Sequence, residues 1–356
     1  MTLSAAGRQQ LLEVVESQRL GCQLAGSPLY ASLLAGVAED VAHDGPAATL
    51  LAPLHRARLG DAVLLRLLAG LHLLVLEGQV PELARHFPSV GGRPGPDRAL
   101  HAAMRAAIDD GGERLAELLA QGVQTNEVGR SAALVGGFLE AARPGLPLRV
   151  LEVGASGGLN LLFDRYRYVD ADWSFGPEDS PLVFRSPWFG GAPDVAVPLE
   201  VIERRGCDLA PIDVGVEAGR RRLRSFVWAD QLDRLGRLDA ALQVAAATPP
   251  TVDAADASEW VERQLARPVT GVCTVLTHAI VFQYLSEQGR ARMLAAIEAA
   301  GARSTEDAPL AWLRLEPGGD QAELRLTTWP SGVTRLLATS AYHGPPVVWR
   351  VSGRAT

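Results

Sequence analysis

Between positions 7 and 142 apolar residues recur at helical spacing with little relief, as in Leu11, Leu12, Val14 and Val15, and no stretch has the alternating, β-branched texture of a strand. The punctuation agrees. Ser27 before Pro28 reads as an N-cap with proline at the first helical position, Asp61 as the opening of an apolar helix, and Pro96-Asp97 as the start of ALHAAMRAAI. Thr125-Asn126-Glu127 reads as the cap of a last helix running to Arg143. The pattern predicts an all-helical module over residues 1–143.

Beyond Pro144-Gly145 the period shortens. LRVLEV (148–153) reads as a buried strand and GLNLLFDRY as the helix after it, while aromatics, proline and glycine over 166–197 suggest a β insertion or flap. A second α/β unit begins near LEVIERRGCDLAP, passes through an arginine-rich helix and reaches a strand at SFVWAD (225–230). Helices DQLDRLGRLDAALQVAA and ASEWVERQLA follow, on either side of the turn-rich TPPTVD. VCTVLTH (272–278) and LAWLRLE (310–316) read as strands separated by the helix EQGRARMLAAIEAAG, and AELRLTTW and VTRLLATSAY flank the hairpin signal Pro330-Ser331-Gly332. Residues 144–356 therefore predict an α/β domain: a mostly parallel sheet with a reversed hairpin at its end.

Composition narrows the chemistry. The 47% apolar content suffices for a sizeable core, and the net charge of −7 argues against nucleic acid or an anionic membrane as partner. All 34 basic residues are arginine. Without lysine, a Walker-A phosphate loop, a pyridoxal enzyme, a Schiff-base aldolase and a kinase are excluded. Cys22, Cys207 and Cys273 are widely spaced and odd in number, no two histidines stand at ligand spacing, and no metal site is expected. The run Ala62–Leu76 is interrupted by Arg66 and His72 and reads as a buried helix, and MTLSAAGRQQ lacks the form of a signal peptide. A soluble, cytoplasmic protein is expected.

The stretch LEVGASGGLNLL (151–162) carries two signatures. As Gly154-x-Ser156-x-Gly158 it is the nucleophile elbow of a serine hydrolase, but an elbow needs several strands before it, and here a helical module precedes. As Glu152-x-Gly154-x-Ser156-x-Gly158 it is a cofactor loop on the first strand of a Rossmann-like sheet. Gly154 and Gly158 then let the backbone bend and approach a ligand, free N–H groups at the start of GLNLL, near Asn160, receive a carboxylate, and Ser156 is merely small.

The plan and this loop resemble class I S-adenosylmethionine-dependent methyltransferases. The resemblance implies that Glu152 faces the methionyl end of S-adenosylmethionine, that Asp208 in RRGCDLAP accepts the ribose hydroxyls, and that Asp230 and Gln231 after FVWA lie near the adenine. Asp208 stands much farther from Glu152 than the usual spacing of roughly 20 residues, which requires 166–197 to be an insertion; Asp172 is the rival ribose acid. Over nearly its whole length the chain also resembles an uncharacterised bacterial family, domain-of-unknown-function family 2332. TNEVGR (125–130), LEVGASGGLNLLFDRYRY (151–168), RRGCDLAPID (204–213), SFVWADQ (225–231) and His343-Gly344 carry that resemblance, and it implies no activity.

The expectation is thus a small-molecule methyltransferase with S-adenosylmethionine as cofactor and the helical module as acceptor lid. The alternatives are a serine hydrolase using Ser156 and a cofactor-binding protein without turnover. Methyl transfer is an in-line displacement that needs positioning first and a base only for a protic acceptor. His278, after VCTVLT, is the candidate base, with Tyr284 and Glu316 beside it. Asn126, Glu127, Arg130, Arg165, Tyr166 and His343 are the candidate acceptor-binding residues. Each has a plainer alternative: a core histidine, a helix cap, a turn residue.

Overall fold

The helical periodicity of the amino-terminal region resolves into the helices Ala5–Leu24, Pro28–Ala42, Pro46–Leu51, Val63–Leu76, Pro81–Ala84, Asp97–Asp110 and Gly112–Ala120. The structure is a computed structural model and describes residues 3–57, 59–185 and 188–350. The chain divides into two units, one with the residues up to Thr125 together with Glu217–Gly236, the other with Asn126–Val216 and the chain from Arg237 onward.

In the helical unit Ser27 caps Pro28–Ala42, accepting from the Tyr30 N–H. The apolar segment Leu59–Leu76 has the length and composition to cross a bilayer, yet two thirds of it is buried. Its continuous helix starts only at Val63, because Ala62 adopts a left-handed φ of 51°, so Asp61 closes the short turn before it and does not open the helix. Leu33, Leu34, Leu64, Leu67, Leu71, Phe87 and Met104 form the core. Two buried polar groups within it are satisfied. Asp40 accepts from the Ala47 N–H and from Arg105, each at 2.6 Å, and His72 lies between the Ser225 carbonyl and the Ser89 hydroxyl. Burial pushes the imidazole of His72 down to about 4, which leaves it neutral.

The second unit contains β1 (Leu148–Val153), β2 (Arg167–Val169), β3 (Ser174–Phe175), β4 (Val183–Arg185), β5 (Trp188–Phe189) and β6 (Val201–Asp208). They are followed by β7 (Val252–Ala254), β8 (Cys273–Ala279), β9 (Leu310–Pro317), β10 (Ala322–Trp329), β11 (Val333–Ala341) and β12 (Gly344–Trp349). A nine-stranded sheet has the order β5-β12-β11-β10-β9-β8-β1-β6-β7. Neighbours from β7 to β9 are parallel, and β9, β10, β11 and β12 run antiparallel to one another. The protein is therefore a mixed α/β protein with a helical amino-terminal region, a mostly parallel central sheet and antiparallel carboxyl-terminal strands. Strands β2, β3 and β4 form a separate small sheet in the segment expected to be an insertion.

Three expectations are corrected. Residues 225–230 are not a strand: helix Glu217–Ser225 ends there, and Phe226–Asp230 turns within the helical unit, where Trp228 stacks on Tyr30 with ring centroids 5.7 Å apart. The third parallel position is filled by β7, from the turn-rich TPPTVD. The element after β1 is not an α-helix but a kinked 3-10 run, Leu159–Arg165, because the hydroxyls of Tyr166 and Tyr168 take the carbonyls of Leu159 and Phe163 that a regular helix would use.

Helix Ser131–Ala142, which the pattern attaches to the helical module, belongs to the sheet-containing unit and is buried along its whole length. Gly136 and Gly137 allow its close approach to the sheet. A Cβ on Gly136 would stand 2.5 Å from the Trp349 ring, and one on Gly137 2.3 Å from Leu313. Alanine at 136 gains helix propensity but overlaps a rigid, buried indole. Gly136→Ala is therefore expected to lower stability by roughly 1–3 kcal/mol in urea denaturation, whereas a gain in stability would mean the helix does not press on Trp349.

Candidate functional site

Strand order reverses at β1. After it the chain builds β6 and then β7 on one side, and crosses to β8 and β9 on the other. In an open parallel sheet this switch point opens a crevice at the carboxyl ends of the strands. The loop Gly154–Gly158 lies there. Gly154, Ser156 and Gly158 have φ of 67°, 53° and 73°, and Ile280, at the end of the neighbouring β8, has 56°. Left-handed backbone at serine, and more so at a β-branched residue, is strained and persists only where the surroundings impose it.

The loop is held by protein groups on several sides. Ala155 N–H donates to the Cys207 carbonyl, Ser156 N–H to Asp208 at 3.0 Å, and Leu159 N–H to Asn126 Oδ1 at 3.0 Å. The second oxygen of Asp208 accepts from the Ala210 N–H at 3.0 Å, so two backbone donors orient this carboxylate at the end of β6. The space a side chain would need at Gly154 is taken by Val281, and at Gly158 by Pro250 and Val252. These glycines seat the loop on the adjoining strand ends, and the Leu159 N–H is already committed.

Parallel pairing sets Glu152 beside Thr277 and Gly206 on the sheet face covered by helix Ser131–Ala142. Burial, assisted by Asp208 and opposed by Arg130 and a hydrogen bond from Asn160, pushes the Glu152 carboxyl up to about 8. It is therefore mostly protonated at neutral pH. Its Oε2 and the Thr277 hydroxyl are buried without hydrogen-bond partners among the described residues.

The segment Asn126–Ser131 gathers the strand ends. Besides the Asn126 bond, the Asn160 amide donates to the Glu127 carbonyl at 3.4 Å and Ser131 Oγ donates to Asn160 at 2.8 Å. Arg130 donates to the carbonyls of Ala279, the last residue of β8, and Tyr342, just after β11. Glu127 Oε1 accepts from the Gly129 N–H at 3.0 Å, and its Oε2 lies 3.4 Å from Nδ1 of His343.

On the opposite face, His278 is fully enclosed. Its Nδ1 donates to Glu316 Oε1 at 2.6 Å, and its Nε2 accepts the Trp312 indole N–H at 3.0 Å. Both ring nitrogens are thus used, and Phe282 stacks on the ring. Burial raises the Glu316 carboxyl, but the His278 contact and the Val281 and Phe282 N–H groups outweigh it and bring the net shift below the ordinary value.

The sequence-derived candidates thus divide. Glu152, Gly154, Ser156, Gly158, Asn160, Asp208, Asn126, Glu127, Arg130 and His343 gather around the carboxyl ends of β1, β6, β8 and β11. Tyr166 is buried, with its hydroxyl on the Leu159 carbonyl, and Arg165 is half exposed beside Asp164. Tyr284 is exposed. Asp230 lies in the helical unit, where its two oxygens accept from Ser27 Oγ at 2.6 Å and the Leu29 N–H at 3.0 Å, and Gln231 donates to the Ala25 carbonyl. Asp172 is exposed in the small-sheet segment. Sequence reasoning missed Trp312 as the partner of His278, and Asp256, which caps Ala257–Gln264 after the true third strand β7. An aspartate three positions before Glu259, at the head of the helical run ASEWVERQ, was the available signal. Among the described residues no group of three or more His, Cys, Asp or Glu is arranged to hold a metal ion.

Fold and site together define a mixed α/β protein with a cluster of polar side chains at the switch point of its mostly parallel sheet. The chain belongs to the family described as "Uncharacterized protein conserved in bacteria (DUF2332)", whose model matches residues 13–349. Neither a curated protein nor a solved structure matches it.

The position of Glu152 yields a stability prediction. Its folded-state value of about 8 stands above the ordinary 4.5. The neutral form is therefore favoured by folding, and that contribution, complete at low pH, is lost as pH rises through the folded value. Between about pH 5 and pH 8 wild type is expected to lose up to roughly 1.4 kcal/mol per pH unit relative to Glu152→Gln. Parallel urea titrations of the two proteins across that range read the difference; equal slopes would mean Glu152 is ionised in the fold.

Proposed function

We propose that the protein binds S-adenosylmethionine in the switch-point crevice and transfers its methyl group to a small-molecule acceptor. The observation carrying this reading is the conjunction, at the reversal of strand order, of a left-handed glycine loop after β1 and an oriented carboxylate, Asp208, on the adjacent strand end. Crevice ligands bind at such a point. Asp208 sits one strand from the loop, as a ribose-binding acid must, and Asp172 does not.

The fit is partial. Asp208, the loop and the neutral Glu152 suit a nucleoside-type ligand with a polar end. The Leu159 N–H is not the group that receives its carboxylate, since Asn126 holds it, and Asp230 serves as a helix cap. When bound, the cofactor supplies an electrophilic methyl on a sulfonium. The chain's part is to orient the acceptor for in-line approach and to exclude water. His278 contributes as a strut joining β8 to Trp312 and Glu316 on β9, because a nitrogen that already accepts from an indole has no lone pair to offer an acceptor.

The left-handed φ of Ser156 keeps the serine-hydrolase reading as second, since an elbow serine occupies a strained turn. Calorimetry with S-adenosylmethionine and S-adenosylhomocysteine decides between them. Binding is expected, and Asp208→Ala should weaken it at least tenfold, about 1.4 kcal/mol, with circular dichroism unchanged. Absence of binding, together with fluorophosphonate labelling that Ser156→Ala abolishes, would overturn the methyltransferase reading in favour of the hydrolase.

A further inference from the structure

We infer that Glu152 and Thr277 read the charge of the ligand: Glu152 gives up its proton when a cationic ligand binds at the strand ends and keeps it when a neutral one does, so that the pair favours S-adenosylmethionine over S-adenosylhomocysteine. This role rests on the methyl-transfer reading above, and it is one of specificity, not of catalysis.

Four residues form a row across four strands: Gly206 on β6, Glu152 on β1, Thr277 on β8 and Leu313 on β9, on the sheet face under helix Ser131–Ala142. Glu152 is 4% exposed and Thr277 3%. The flanks of the row are apolar. Gly206 brings no side chain, a Cβ there would stand 2.5 Å from that of Ala155, and Leu313 lies on the other side. Oε2 of Glu152 and the Thr277 hydroxyl accordingly find no partner among the described residues. A buried carboxylate oxygen without a donor is far costlier than a neutral carboxyl, so the proton stays on Glu152 in the ligand-free chain.

The charges around Glu152 are fixed. Arg130 is held by the carbonyls of Ala279 and Tyr342, and Asp208 by the N–H groups of Ser156 and Ala210, so one positive and one negative group act on Glu152 in either state. Burial pushes the Cys207 thiol up to about 12 and the Tyr166 phenol well above its ordinary range, which leaves both neutral. His278 is on the opposite face.

An added cation tips this balance. A unit positive charge roughly 6 Å away changes the ionisation equilibrium of a buried carboxyl about a hundredfold, enough to take Glu152 from mostly neutral to mostly ionised near neutral pH. The proton passes to solvent, and the Thr277 hydroxyl, beside Glu152 on β8, donates to the carboxylate oxygen. By linkage, affinity for the cation rises with pH until free Glu152 itself ionises, at about 8. A neutral thioether gives no such gain.

Calorimetry on the full chain at about pH 7, repeated in buffers of different ionisation enthalpy, counts the protons released on binding. S-adenosylmethionine is expected to release at least about half a proton more per site from wild type than from Glu152→Gln, and S-adenosylhomocysteine to release the same from both. Comparing the two proteins cancels ionisation of the ligands' own amino groups. Between about pH 6 and pH 8 the ratio of the two affinities should rise about tenfold more in wild type than in Glu152→Gln. Thr277→Val keeps the side chain's shape and should bind S-adenosylmethionine while releasing fewer protons. Binding with equal proton release in wild type and Glu152→Gln, or with Thr277→Val indistinguishable from wild type, would overturn the inference and leave the cofactor reading standing. Failure of wild type to bind S-adenosylmethionine would overturn both.

Discussion

A turn buried at the end of a central strand must find partners for its own N–H groups without help from water, and that demand organises the sheet-containing unit. The loop after β1 meets it with the Cys207 carbonyl, the Asp208 carboxylate and the Asn126 side chain. Asn126 belongs to a segment whose next residues reach the ends of β8 and β11 through Arg130. One short stretch before the sheet therefore fixes the relative positions of three strand ends after it. The left-handed backbone at Ser156 is held in place by these bonds.

The same requirement distributes chemistry between the two faces of the sheet. Glu152 and His278 sit on adjacent strands one register step apart, yet alternation sends them to opposite sides. Glu152 finds only partial compensation under helix Ser131–Ala142 and stays largely neutral. His278 finds a carboxylate and an indole, and becomes a fastening between β8 and β9. A histidine at a strand's carboxyl end is a reasonable candidate base from sequence, but its availability depends on what stands next to it, and Trp312 lies 34 positions away.

Much of the strand-end cluster was legible because residues at the ends of strands follow from local pattern. The apolar run of β1 followed by three glycines within five residues announced both the strand and the turn, and the resemblance of RRGCDLAP to a methyltransferase turn pointed to the acid at the end of β6. Asp230 shows where local reading fails. SFVWAD has every mark of a strand, yet Trp228 finds Tyr30 and Asp230 finds Ser27, more than two hundred residues earlier, and those contacts outweigh the β propensity of the run. Strand β7 shows the converse, three residues in a turn-rich stretch that pair because β6 offers them an edge.

By itself the sequence determined where helices give way to strands, that the sheet is mostly parallel and closes with antiparallel strands, and which acids end β1 and β6. The first two and Glu152 follow from periodicity and turn chemistry within a few residues, whereas Asp208 follows from the resemblance of RRGCDLAP to a methyltransferase turn. Tertiary structure alone decided which of those groups are accessible or committed, from the neutral Glu152 to the two very different histidines at 278 and 343. Protonation and availability depend on partners brought near by folding from distant parts of the chain, and no local pattern encodes that proximity.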